Sequence, residues 1–125
     1  MYKKRILVID DEESLCRMVK MNLEETDKYE VRTETKGANA LRAAKEFKPD
    51  LIFLDIVMPD IDGGEVSRML KEDKMTGNIP LIFLTAIVTD KEVKTEEGVI
   101  GGKMFLAKPV SVDKLIQCIE ENTRI

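Results

Sequence analysis

Five short apolar runs, separated by longer mixed segments, leave this chain few folds to choose from. Residues 5–9, 29–33, 51–54, 81–85 and 104–107 are rich in branched and aromatic side chains, and their length and composition predict β-strands. Between and after them, helical periodicity runs through residues 12–26, 38–47, 64–75, 90–97 and 112–122. A strand followed by a helix, five times over, predicts parallel strands joined by right-handed crossovers. The first, third and fourth runs are almost continuously apolar, as central strands covered on both faces must be. The second alternates Tyr29, Val31 and Thr33 with Glu30 and Arg32, which suits an edge. The expected fold is α/β: an open, doubly wound, five-stranded parallel sheet of order 2-1-3-4-5 with helices on both faces.

The 125 residues, 43% of them hydrophobic, suffice for one core, and no repeat or linker divides them, so residues 1–125 are expected to form one domain. Lys and Arg number 20 against 24 Asp and Glu, a net charge of −4, and no segment concentrates the basic residues. Direct nucleic-acid binding is not expected. Cys16 and Cys118 sit far apart within apolar periodic segments, the pattern of buried reduced thiols. The basic start Lys3-Lys4-Arg5 precedes an apolar run too short for a signal peptide, and no segment has membrane-spanning length. A cytoplasmic protein without a membrane association is therefore expected. The chain has no histidine, so any phosphohistidine chemistry must come from another protein.

In a 2-1-3-4-5 sheet the winding reverses between strands one and three, and a crevice opens beyond their carboxyl ends. The first run ends in Asp10-Asp11-Glu12 and the third in Asp55. Converging carboxylates repel one another unless a hard cation intervenes, and Mg²⁺ takes one or two carboxylates while keeping water and phosphate oxygens as its other ligands. Helix capping is the plainer alternative for the first three acids, although it leaves Asp55 unexplained. Thr85 closes the fourth strand and Lys108 follows the fifth; a hydroxyl and an ammonium at the same edge suit the oxygens of a transferred phosphoryl group. Alone, each would more often be a strand-end cap and a solvated charge.

The segments Val8-Ile9-Asp10-Asp11-Glu12, Leu54 through Gly63, Leu84-Thr85-Ala86 and Phe105-Leu106-Ala107-Lys108-Pro109 resemble those of receiver domains of bacterial two-component response regulators, chemotaxis regulators among them. The resemblance covers essentially the whole chain and implies a flavodoxin-like fold. It implies a signalling domain rather than an enzyme, one that assists its own phosphorylation and slow dephosphorylation. Asp55 would be the phosphoacceptor; Asp11, Asp55 and the Val57 carbonyl would bind Mg²⁺ directly, with Asp10 acting mainly through water. Thr85 would be the switch hydroxyl, Lys108 the partner of the phosphoryl oxygens, and Phe105 the mobile aromatic of the switch, with simple core packing as its alternative role. A cis peptide before Pro109 is also implied. The partners would be a sensor histidine kinase or histidine phosphotransfer protein, and a downstream output protein or an output domain missing from this chain.

Other aspartate-bearing and doubly wound families fit less well. A phosphatase of the haloacid-dehalogenase type carries an acid two residues after its nucleophile, where this chain has Val57. A flavodoxin needs a Ser/Thr/Gly-rich phosphate loop where this chain places Asp10, Asp11, Glu12 and Glu13, which would repel a cofactor phosphate. A receiver fold that signals by binding alone usually lacks part of the acid, Thr and Lys set, which is complete here. On the first helix, Leu15, Cys16, Val19 and Leu23 share one face while Met18 and Met21 lie on its flank, either to dock a helix bundle or to fill gaps. Resemblance places Val57 and Ile87 beside the path of a hydrolytic water. Both are apolar, so a comparatively long-lived phosphorylated state is expected.

Overall fold

The computed structural model describes residues 2–86, 99–100 and 103–123. The chain runs β1 (Lys4–Ile9), α1 (Glu13–Glu25), β2 (Tyr29–Glu34), a 3-10 turn (Gly37–Asn39), α2 (Ala40–Phe47), β3 (Leu51–Asp55), α3 (Gly63–Glu72), β4 (Leu81–Thr85), β5 (Val99–Ile100), β6 (Lys103–Ala107) and α4 (Val112–Asn122). The sheet order is β2-β1-β3-β4-β6-β5. Its five long strands are parallel and stand in the expected 2-1-3-4-5 order. The two-residue β5 is an addition, paired antiparallel with β6 through Ile100 and Lys103. Gly101-Gly102 between them in sequence is a hairpin signal. The helix expected at residues 90–97 lies outside the described residues, as does Ile87.

Two apolar clusters explain why the central strands are apolar throughout. Alternate residues point to opposite faces: Ile6, Val8, Leu51, Phe53, Ile82 and Leu84 join α1 and α4 in one cluster, while Leu7, Ile9, Ile52, Leu54 and Phe83 join α2 and α3 in the other. Each fully buried Leu, Ile or Phe contributes roughly 1.5–3 kcal/mol, so one polar replacement in β1 or β3 would forfeit that contribution and bury an unpaired polar group. β2 bonds only to β1 and is the edge, as its alternation predicts. In α1, Cys16, Val19 and Leu23 are buried, and Leu15 and Met18 pack against the same cluster. Met21 is 65% exposed, so the two flanking methionines divide: Met18 fills a gap and Met21 faces outward.

α3 stops at Glu72, short of the expected residue 75. The reason is local hydrogen bonding: the Asp73 carbonyl accepts from Thr76 and Gly77, its carboxylate accepts from Met75, and the Thr76 hydroxyl reaches back to the Leu70 carbonyl. These bonds compete with helix continuation. Cys16 and Cys118 are both buried free thiols, as expected. Burial pushes each thiol up to about 11.

Candidate functional site

The strands that carry the clusters end at one edge, and each hands over a polar residue there: Asp10 follows β1, while Asp55 and Thr85 are the last residues of β3 and β4. Lys108 follows β6, its peptide bond to Pro109 is cis, and its backbone N–H donates to the Thr85 carbonyl at 2.9 Å. Asp10, Asp55 and Thr85 are buried, whereas Asp11 is exposed. One carboxylate oxygen from each of Asp10, Asp11 and Asp55 lies within 4.8 Å of the others.

Lys108 sits against this group. Its Nζ is 2.7 Å from Asp10 Oδ2, 3.0 Å from Glu12 Oε1 and 3.6 Å from Asp55 Oδ1. Asp10 Oδ2 is buried and faces the Lys108 ammonium, its one charged partner among the described residues. Burial and the Asp10 charge push the Asp55 carboxyl up to about 6, against the opposing pull of Lys108 and the Val57 amide. For Lys108, desolvation works against the ammonium, but bonds to Asp10 and Glu12 outweigh it and raise its pKa.

This donor set fits a hard divalent cation. Three carboxylates, one solvent-facing and two buried, offer the anionic oxygen ligands that such ions prefer, and one ammonium cannot neutralise all three. Val57 follows Asp55 by two residues and its amide donates to Asp55 Oδ1 at 3.4 Å, which folds the loop back over the carboxylate. Val57 is 62% exposed. An open hollow of about 590 Å³ adjoins the acids, lined by Asp11, Glu13, Thr35, Lys36, Pro59 and Asp60.

Capping does not account for the acids at the end of β1. Glu12 is the N-cap residue of α1, yet its side chain makes no cap hydrogen bond. The Asp10 carboxylate instead accepts from the Glu12 amide at 2.9 Å. Phe105 is half-buried and stacked on Phe83, with ring centroids 5.3 Å apart and planes at 26°. In this structure it therefore packs as part of the α2–α3 side of the core.

Two supports escaped the reading of the sequence. Asp60 accepts from the Gly37 and Ala38 amides at 3.3 and 3.0 Å, tying the loop after Asp55 to the turn before α2 and holding its own carboxyl below the usual range. Nothing in the sequence links residues 23 positions apart. The Gly63 amide donates to the Ile56 carbonyl at 2.7 Å, bringing the start of α3 against the loop; the pair Gly63-Gly64 after Asp62 was the available signal.

The sequence profile described as the response regulator receiver domain matches residues 6–120. The chain is 40% identical over 109 residues to the alkaline phosphatase synthesis transcriptional regulatory protein PhoP of Bacillus subtilis (strain 168), covering 86% of the chain and 43% of PhoP. Against the polar-differentiation response regulator DivK of Brucella anthropi, it is 33% identical over 118 residues, which is 94% of each protein. The chemotaxis protein CheY4 of Vibrio cholerae has a similar structure, with TM-score 0.81, 26% identity and coverage of 97% and 99%. The chain thus spans less than half of PhoP and nearly all of DivK.

Proposed function

Because this chain belongs to the response regulator receiver family, we propose that it accepts a phosphoryl group on Asp55 from a phosphohistidine of a partner and signals through the resulting change of shape. The observation that carries the reading is the meeting of Asp10, Asp11, Asp55 and Lys108 at one sheet edge, with Asp10 and Asp55 buried there.

In this reading an Asp55 carboxylate oxygen attacks phosphorus in line with the donor's P–N bond. The P–O bond forms as the P–N bond breaks, and the departing imidazole takes a proton from solvent. Lys108 holds a phosphoryl oxygen, and Thr85, at the end of the neighbouring strand, binds another. Asp10, Asp11, Asp55 and the Val57 carbonyl would hold Mg²⁺, which supplies charge neutralisation at the phosphoryl oxygens. The added charge then draws Thr85 inward, and Phe105 repacks as the β4 end moves. The domain is a signalling module comprising residues 1–125, with a sensor histidine kinase or phosphotransfer protein as donor. Its output lies in a separate protein or in a domain joined to it, and the setting is cytoplasmic. Among the described residues no helix is long and apolar enough to cross a membrane.

Incubation with labelled acetyl phosphate and Mg²⁺ tests the reading. Wild type should take up one phosphoryl group and Asp55→Asn none, because an amide cannot form the acyl phosphate. Stoichiometric labelling of the variant would move the acceptor elsewhere. An unlabelled wild type that also ignores beryllofluoride with Mg²⁺ would make the domain a passive binding module.

A further inference from the structure

Lys108 is shared by three carboxylates, and one of the two nearest has been given no role. Its Nζ donates a hydrogen bond to Glu12 Oε1 at 3.0 Å. Asp10 Oδ2 is nearer, at 2.7 Å, and Asp55 Oδ1 stands off at 3.6 Å. Of the three acids, Glu12 is the exposed one: its side chain is 56% accessible, against 0% for Asp10 and 7% for Asp55. Its backbone is fixed, since its amide is held by Asp10 and its carbonyl accepts from Cys16. Only the side chain is left to move, and it has solvent to move into.

We propose that Glu12 is a positioning residue that holds the Lys108 ammonium off Asp55 in the resting protein and gives it up when a phosphoryl group arrives. The inference rests on Asp55 being the phosphoacceptor. A phosphoryl oxygen on Asp55 competes with Glu12 for the same ammonium; Asp10, buried and bound to the Glu12 amide, stays where it is. The released Glu12 carboxylate goes to water at little cost because it is already half hydrated. Glu12 thus sets a threshold on the switch: it opposes the phosphorylated state by the strength of one partly exposed ion pair, a factor of about two to five.

Wild type, Glu12→Gln and Glu12→Asp of the full chain separate a contact from a general field effect. Gln removes the charge; Asp keeps it but is one methylene too short to reach Lys108. Without donor, ¹⁵N spectra of the lysine Nζ groups should show faster hydrogen exchange at Lys108 in both variants, by about two- to five-fold. Identical Lys108 signals in all three proteins would overturn the clamp. With acetyl phosphate at saturating Mg²⁺, both variants should be labelled faster than wild type by a similar factor. If only Glu12→Gln is faster, Glu12 acts through its field on the anionic donor and the proposal fails. If wild type is not labelled, the Asp55 reading fails instead, and the resting-state spectra alone decide whether Glu12 clamps Lys108.

Discussion

Gly63, at the start of α3, lies so close to Asp55 that a β-carbon on it would overlap the Asp55 carbonyl oxygen and the Ile56 backbone. The helix can begin there only because the side chain is absent. Gly63→Ala should therefore push α3 away from the loop that carries Val57 and destabilise the fold by about 1–3 kcal/mol, the usual cost of overpacking. A urea midpoint equal to that of wild type would show that the contact relaxes without cost.

Removal of a proposed direct ligand should weaken the cation far more than it weakens the fold. Asp11 is exposed, so Asp11→Asn should leave stability within about 0.5 kcal/mol while lowering Mg²⁺ affinity by about ten-fold or more. Titration followed by amide shifts measures this, and equal affinities would place the ion elsewhere.

The raised Asp55 carboxyl, up to about 6, gives Mg²⁺ binding a pH dependence. Below that value the cation must displace a proton, so its affinity should fall by about ten-fold per pH unit well below 6. The metal-free fold responds in the opposite sense. Ionising a buried Asp55 beside Asp10 is unfavourable, so its contribution to stability is present at low pH and is lost as pH rises from the ordinary carboxylate range through 6. Mg²⁺ titrations at pH 5 and 7.5 that agree would contradict the burial of this carboxylate.

Lys108 faces the acids that would hold the cation, and it competes with the ion for them. Lys108→Ala should bind Mg²⁺ at least as tightly as wild type but lose the conformational response to phosphorylation, because the phosphoryl oxygen has no ammonium to draw in. Amide shifts on phosphorylation matching those of wild type would remove Lys108 from the switch.

Val57 follows Asp55 by two residues and exposes an apolar, branched side chain, which cannot orient a water by hydrogen bonding. Val57→Asn should shorten the life of the acyl phosphate, since an amide there can steer the in-line water. Loss of label with donor removed and Mg²⁺ present is the measurement. Decay equal to or slower than wild type would refute water exclusion by this side chain.

The strands, their parallel order and the polar residues at their ends were legible in the sequence because each is written in local periodicity. A run such as Ile6–Ile9 that is apolar at every position has to be covered on both faces, and the two clusters do this by alternation along each strand. Asp10, Asp55, Thr85 and Lys108 could be brought to one edge on paper because parallel strands end on the same side. Which acid Lys108 would bond was not readable, because Glu12 lies 96 positions away and the outcome turns on side-chain geometry after the strands have paired. The Asp60 tie to Gly37 and Ala38 and the Gly63 contact with Asp55 were hidden for the same reason. The early end of α3 had a different cause, since Asp73 and Thr76 satisfy nearby backbone groups in a way that hydrophobic spacing does not register. Periodicity determined the layers and the edge; tertiary packing decided how the carboxylates share the lysine, because that depends on distances of a few tenths of an ångström between segments the sequence keeps apart.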